Sequence, residues 1–226
     1  MATQFKQIVG AVLLALSAIG AAQADTVKFT GFLGGRNAEV DLNAPRDGNF
    51  LAGEFSILWN DKSFSSICID VKHDIGWNTK YSDYTSKTAD AFGFTPTQIS
   101  LFNKLYTAHY AESHTSNTNA AAFQLAAWEI TYDGNGALDL GKNNFQLGPW
   151  NNATFKSARS TAASWLSGLG NEKEGQWKFT VLDSKNYQDQ LIAMPVPEPA
   201  EIAMLLAGLG LIGGISRRKA QAAAAV

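Results

Sequence analysis

The chain of 226 residues contains a single cysteine, Cys68. An internal disulfide is therefore excluded, and with it the cross-linked framework on which many small exported domains depend. Clustered positive charge is also missing. Residues 25–200 carry 14 Lys and Arg against 19 Asp and Glu, a net of −5, with no Arg/Lys run. That balance argues against nucleic acid as a partner. There is no Gly-x-Ser-x-Gly elbow and no His-Glu-x-x-His pair. The acidic turn at Asp133 and the nearby Asp139 lack EF-hand spacing. Three histidines, His73, His109 and His114, stand near Asp70, Asp74 and Glu112 in the sequence but match no common zinc signature. No metal or other cofactor is expected, and no nucleophile or acid–base constellation of a turnover enzyme is visible. Internal repeats and long low-complexity stretches are absent between residues 25 and 195.

Long apolar runs are confined to the two ends. Near the start, Lys6 precedes an apolar run from Ile8 to Ala22, which closes in Ala22-Gln23-Ala24 before Asp25. A charged head, an apolar stretch and a small-x-small site make residues 1–24 a signal peptide, cut by signal peptidase after Ala24. Near the other end, Val196-Pro197-Glu198-Pro199 precedes an uncharged run from Ile202 to Ile215, followed by Arg217, Arg218 and Lys219. Pro197 and Pro199 each fix φ and remove a backbone donor, so this stretch is extended and accessible. The apolar run is at the short end for a bilayer span, which takes about 20 residues. Three cations directly after it act as a basic stop on the cytoplasmic side.

The order of proline motif, apolar helix and basic stop resembles the PEP-CTERM sorting tail. Exosortase-type membrane proteases process that tail in Gram-negative bacteria. The resemblance spans residues 196–226. It implies an exported protein, anchored in the inner membrane before processing and placed afterwards at the cell surface or in the extracellular matrix.

Residues 25–195 remain as one extracytoplasmic domain, long enough to bury its own core. Its first part reads as strands. Val27, Phe29 and Leu33 fall on one face, and so do Phe55, Ile57 and Trp59. Gly34-Gly35 and Arg46-Asp47-Gly48-Asn49 supply turns. Ile67, Ile69 and Val71 form a further strand face, with Cys68 and Asp70 on the opposite one. Its middle reads as helices. Thr95-Pro96-Thr97-Gln98 carries an N-cap, a proline at the first helical position and a capping-box Gln. Ile99, Phe102, Leu105, Tyr106 and Tyr110 line the face that follows. After a polar loop from Glu112 to Asn119, the run Ala120 to Ile130 is interrupted only by Gln124 and Glu129, which marks a buried helix. It ends in the turn Asp133-Gly134-Asn135-Gly136. A third helix carries Phe155, Ala158, Ala162, Trp165, Leu166 and Leu169, and Trp177, Phe179 and Val181 form a closing strand. The expected fold class is α+β, with antiparallel strands flanking a helical middle.

Gln124 shares its helix face with Ala120, Phe123, Ala127 and Trp128. A buried carboxamide needs partners, so its place there requires a reason. The segment Phe123-Gln124-Leu125-Ala126-Ala127-Trp128-Glu129-Ile130 resembles the Gln-x-Ala-Ile-Trp motif of bacterial thioester domains in Gram-positive surface adhesins. Ala127 stands where that motif has Ile. Ile67-Cys68-Ile69 matches the family's cysteine, flanked by apolar residues on an upstream strand. In that family the cysteine sulfur joins the glutamine carbonyl carbon with loss of ammonia. The resemblance therefore implies a Cys68–Gln124 thioester and a single covalent attachment to a surface amine or hydroxyl. The residues by themselves also allow a small buried cysteine and a glutamine bonded to backbone. A non-covalent structural or glycan-binding role in an exopolysaccharide or biofilm matrix is the alternative. For such a role Trp77, Trp150, Tyr81 and Tyr84 are the candidate aromatic platform.

Overall fold

The computed structural model describes residues 24–196. The expected apolar run of the signal peptide, the motif residues Pro197, Glu198 and Pro199, the apolar run from Ile202 to Ile215 and the basic stop lie outside the described residues. Among the described residues no helix is long and apolar enough to cross a membrane.

Strand β1 (Asp25–Phe32) buries Val27 and Phe29. Leu33 does not continue it. A 3-10 turn, Leu33–Gly35, begins there, with Gly34 and Gly35 at φ 59° and 70°. Glycine has no Cβ to oppose that conformation. Strands β2 (Ala38–Ala44) and β3 (Gly48–Ala52) form a hairpin, and β4 (Phe55–Trp59) and β5 (Lys62–Cys68) form a second. The turn between β4 and β5 is Asn60-Asp61, both at positive φ. That is the backbone sign of a two-residue type I′ connection, whose twist matches that of the strands. Strand β6 (Lys80–Thr88) leads into the short helix α1 (Ala89–Phe92).

Helix α2 (Pro96–Ser113) starts as its sequence predicts. The Thr95 hydroxyl accepts the Gln98 N–H, and Gln98 Oε1 accepts the Thr95 N–H. Helix α3 (Asn117–Asp133) starts three residues earlier than the apolar run, because Ser116 is its cap and accepts the Asn119 N–H at 3.1 Å. Every residue of α3 from Ala120 to Ile130 is buried. A two-residue strand β7 (Gln146–Leu147), helix α4 (Ala153–Gly168) capped by Asn152, and strands β8 (Trp177–Asp183) and β9 (Gln190–Pro195) complete the chain.

The strands on both sides of the helices belong to one antiparallel barrel, in the order β1-β4-β5-β9-β8-β6. Closure leaves the barrel itself no free edge. A separate three-stranded sheet, β3-β2-β7, stands beside it. Helix α3 lies between α2 and α4 and packs against β2 and β3 of the small sheet and β5 of the barrel. The strand that carries Cys68 is thereby placed against the middle of α3.

Candidate functional site at Cys68 and Gln124

Cys68 is the last residue of β5. Its partner across the barrel ladder is Gln190 of β9, and its chain neighbour Ile67 faces Leu191. The strand expected through Val71 ends earlier here. Ile67, Cys68, Ile69, Asp70 and Val71 are all buried, and the strand stops at Cys68. One side of the segment meets the barrel and the other meets helix α3, so neither side is exposed to solvent.

Gln124, 1% exposed, supplies the contact from α3. Its Oε1 accepts the Cys68 N–H at 3.1 Å, and its Nε2 donates to the Cys68 carbonyl at 2.7 Å. The carboxamide thus lies against the cysteine's own peptide groups. The thiol turns the other way along the chain and donates to the Asp70 carbonyl at 3.0 Å. Burial pushes the Cys68 thiol up to about 12. A backbone hydrogen bond at Asp70 opposes that shift, while the negative charges of Asp70 and Asp189 reinforce it. A buried anion is costly, so the neutral thiol prevails at rest.

Trp128 follows Gln124 by one helical turn and so faces the same way. It is 2% exposed, yet its Nε1 has no hydrogen-bond partner. A pocket of about 220 Å³ reaches both Cys68 and Trp128 from the surface.

Two acids stand behind the cysteine. Asp70 accepts the Lys72 N–H at 2.8 Å and pairs with His73 Nδ1 at 2.5 Å. Asp189, raised to about 6 by burial, accepts the Ser184 N–H at 2.8 Å, and its backbone carbonyl accepts the Ile69 N–H at 3.0 Å. The sequence gives no sign of Asp189, because its position depends on β9 closing the barrel beside β5. Glu129 is also more than an interruption of an apolar run. It is fully buried and its Oε1 accepts the Asp139 N–H at 2.6 Å, but Oε2 has no partner. Burial raises it to about 7, with help from Asp133 and Asp139.

The remaining candidates are dispersed. His114 pairs with Glu54 at 2.7 Å, and His109 stacks on Trp165 with ring centroids 4.5 Å apart. Among the described residues no group of three or more His, Cys, Asp or Glu could hold a metal ion. Of the expected aromatic platform, Tyr81 and Tyr84 belong to the core, and Trp150 is half-buried against Phe155. Trp77 alone of the four is exposed, at 43%.

Comparison with solved structures finds an N-terminal thioester domain of a surface protein from Clostridium perfringens. The similarity covers 74% of this chain and 97% of that one, at 15% identity and a TM-score of 0.39. A cysteine-to-alanine variant of an N-terminal thioester domain of surface protein from the same organism covers 62% and 89%, at 16% identity and a TM-score of 0.39. No curated protein matches the chain. Residues 195–219 match the PEP-CTERM protein-sorting motif, a span that takes in Val196, Pro197, Glu198, Pro199, Arg217, Arg218 and Lys219. The chain therefore carries a PEP-CTERM sorting motif, which implies export, membrane anchoring and processing by exosortase, a membrane protease.

Proposed function

We propose that signal peptidase releases residues 1–24, that exosortase processes the tail at residues 196–226, and that the domain of residues 25–195 attaches covalently to an extracellular partner through a Cys68–Gln124 thioester. The observation that carries this reading is the clamping of the Gln124 carboxamide against the Cys68 peptide at 3.1 and 2.7 Å. Once the thiol rotates from the Asp70 carbonyl toward the clamped carboxamide, fixed proximity replaces the reactivity that a carboxamide lacks. In bond formation Sγ adds to Gln124 Cδ. The developing negative charge on Oε1 falls on the Cys68 N–H that already binds this oxygen. Nε2 then departs as ammonia with the thiol proton, so that one C–N bond is exchanged for one C–S bond. A partner amine or hydroxyl later attacks the same carbon, and the C–S bond breaks to restore the thiol. The protein acts once and does not turn over.

A second reading has its own support. The Gln124 carboxamide has partners at both ends, and burial holds the thiol neutral. Gln124 would then be a strand clamp, and the protein a non-covalent component of the extracellular matrix. Intact mass of the exported protein separates the two. Thioester formation removes one ammonia from the sequence mass, and methylamine labels Gln124 while exposing a thiol at Cys68. An unmodified mass together with no amine uptake would leave only the clamp.

A further inference from the structure

Three large apolar side chains are exposed among the described residues, and two of them, Trp77 at 43% and Leu51 at 50%, line the pocket that reaches Cys68. A lone exposed apolar residue needs no explanation, but two at one concavity mark a contact surface. Trp77 is held in place by other rings: its centroid lies 5.2 Å from Phe32 and 5.7 Å from Phe55. Leu51 comes from β3, so the walls belong to two different sheets.

The polar side chains in this lining other than Cys68 and Asp74 are neutral amides, Asn49 and Gln188. An amide both donates and accepts, which suits a ligand bearing hydroxyls. The only charged residue in the lining is Asp74, and Arg46 holds its carboxylate through two bonds of 2.8 and 3.1 Å. No free anion is left in the lining to select an ammonium group. At about 220 Å³ the pocket lies below the roughly 300–1,000 Å³ of sites for drug-sized molecules. A single ring fits that description when it is neutral, bears hydroxyls and has one C–H face for an indole.

We infer that this pocket is a binding subsite for one neutral pyranose residue of a glycan, stacked on Trp77 and hydrogen-bonded by the Asn49 and Gln188 amides. The subsite stands on the pocket alone; its covalent consequence rests on the proposed function. With the thioester present, a hydroxyl oxygen of the bound ring adds to Gln124 Cδ and the C–S bond breaks. The electron pair stays on sulfur, and the hydroxyl proton ends on the Cys68 thiol. The product is an ester between the sugar and the former Gln124 side chain.

Binding is best tested in the exported protein carrying Cys68→Ala, which forms no thioester. The probes are methyl β-glucopyranoside, methyl β-galactopyranoside and methyl N-acetyl-β-glucosaminide, with n-butylammonium in parallel, followed by saturation-transfer NMR and tryptophan fluorescence. At least one glycoside is expected to bind saturably and to lose tenfold or more in affinity on Trp77→Ala. Leu51→Ser, a change on an exposed wall, should weaken binding as well, with thermal unfolding of both variants unchanged. Failure of all three glycosides to bind would overturn the subsite, as would binding indifferent to both substitutions. Binding of n-butylammonium in their place would overturn it too, and would assign the pocket to an amine. Glycoside binding by a wild-type protein that shows neither ammonia loss nor a sugar adduct supports the subsite and removes the thioester.

Discussion

The Gln124 side chain gives Cys68 what a neighbouring strand would otherwise give it, an acceptor for its N–H at 3.1 Å and a donor for its carbonyl at 2.7 Å. A helix side chain thus acts as one rung of a β-ladder, on the side of β5 turned away from Gln190. The arrangement fixes the cysteine backbone rigidly and also brings a carboxamide to it.

Removing that rung should be expensive. In Gln124→Ala both Cys68 backbone groups lose their partners in a buried site. Each costs about 1–3 kcal/mol, so a loss of roughly 2–6 kcal/mol in folding stability is expected by urea denaturation. Cys68→Ala, which keeps those backbone bonds, should cost clearly less. Equal losses in the two variants would contradict the rung.

The thiol should be inert wherever it is not already joined to Gln124. A rise from 9.0 to about 12 leaves roughly a thousandth of the usual thiolate fraction near neutral pH. Native Gln124→Glu protein, unable to release ammonia from that position, is expected to alkylate with iodoacetamide far more slowly than the same protein in denaturant. Rapid alkylation in the folded state would place the sulfur in a different environment.

Glu129 and Asp189 should tilt stability against pH in one direction. Both carboxyls are raised in the fold, from 4.5 to about 7 and from 3.8 to about 6, with burial as the largest cause. A raised acid binds its proton more tightly when folded. Its contribution is present below the unfolded value and is lost as pH rises through the folded one. Stability is expected to fall between about pH 4 and pH 7, and Glu129→Gln should flatten the upper part of that fall. Denaturation midpoints across this range check the slope, and a rise in the Glu129 window would reverse the assignment.

Export and sorting can be followed separately from the chemistry. N-terminal sequencing of exported protein should begin at Asp25-Thr26. Neutral residues in place of Arg217, Arg218 and Lys219 are expected to impair membrane retention before processing. Processing and location unaffected by deletion of residues 196–226 would remove the sorting role.

Features set by neighbours in the chain were legible in the sequence. The capping box at Thr95 and Gln98, the buried run of α3 and a strand from Trp177 depend on local pattern, and the structure has each of them, although β9 rather than the Trp177 strand closes the chain. The juxtaposition of Cys68 and Gln124 was readable through a motif resemblance. The barrel was not readable, because its closure pairs Ile67 with Leu191 and Thr85 with Asp183. No local periodicity encodes such distant partners. The same closure buries Cys68 and Asp70 as well as Ile67 and Ile69, which alternation alone does not foretell. A strand covered on both sides loses the alternation from which its faces are read. Leu33 was misplaced for a local reason, since the two glycines after it turn the chain.

The position of β9 has a mechanical consequence. This strand is inserted between β5 and β8 and runs directly toward the sorting motif, ending at Pro195. Tension on a tether at that end would enter the domain through β9 and pull it lengthwise against both neighbours. Its ladder bonds would then share the load together instead of opening one after another. Cys68 sits opposite Gln190, at the far end of the same strand from Pro195. A partner held at Cys68 or Gln124 would therefore be joined to the tether by a load path little more than one strand wide, and the small sheet and α4 would carry almost none of the pull.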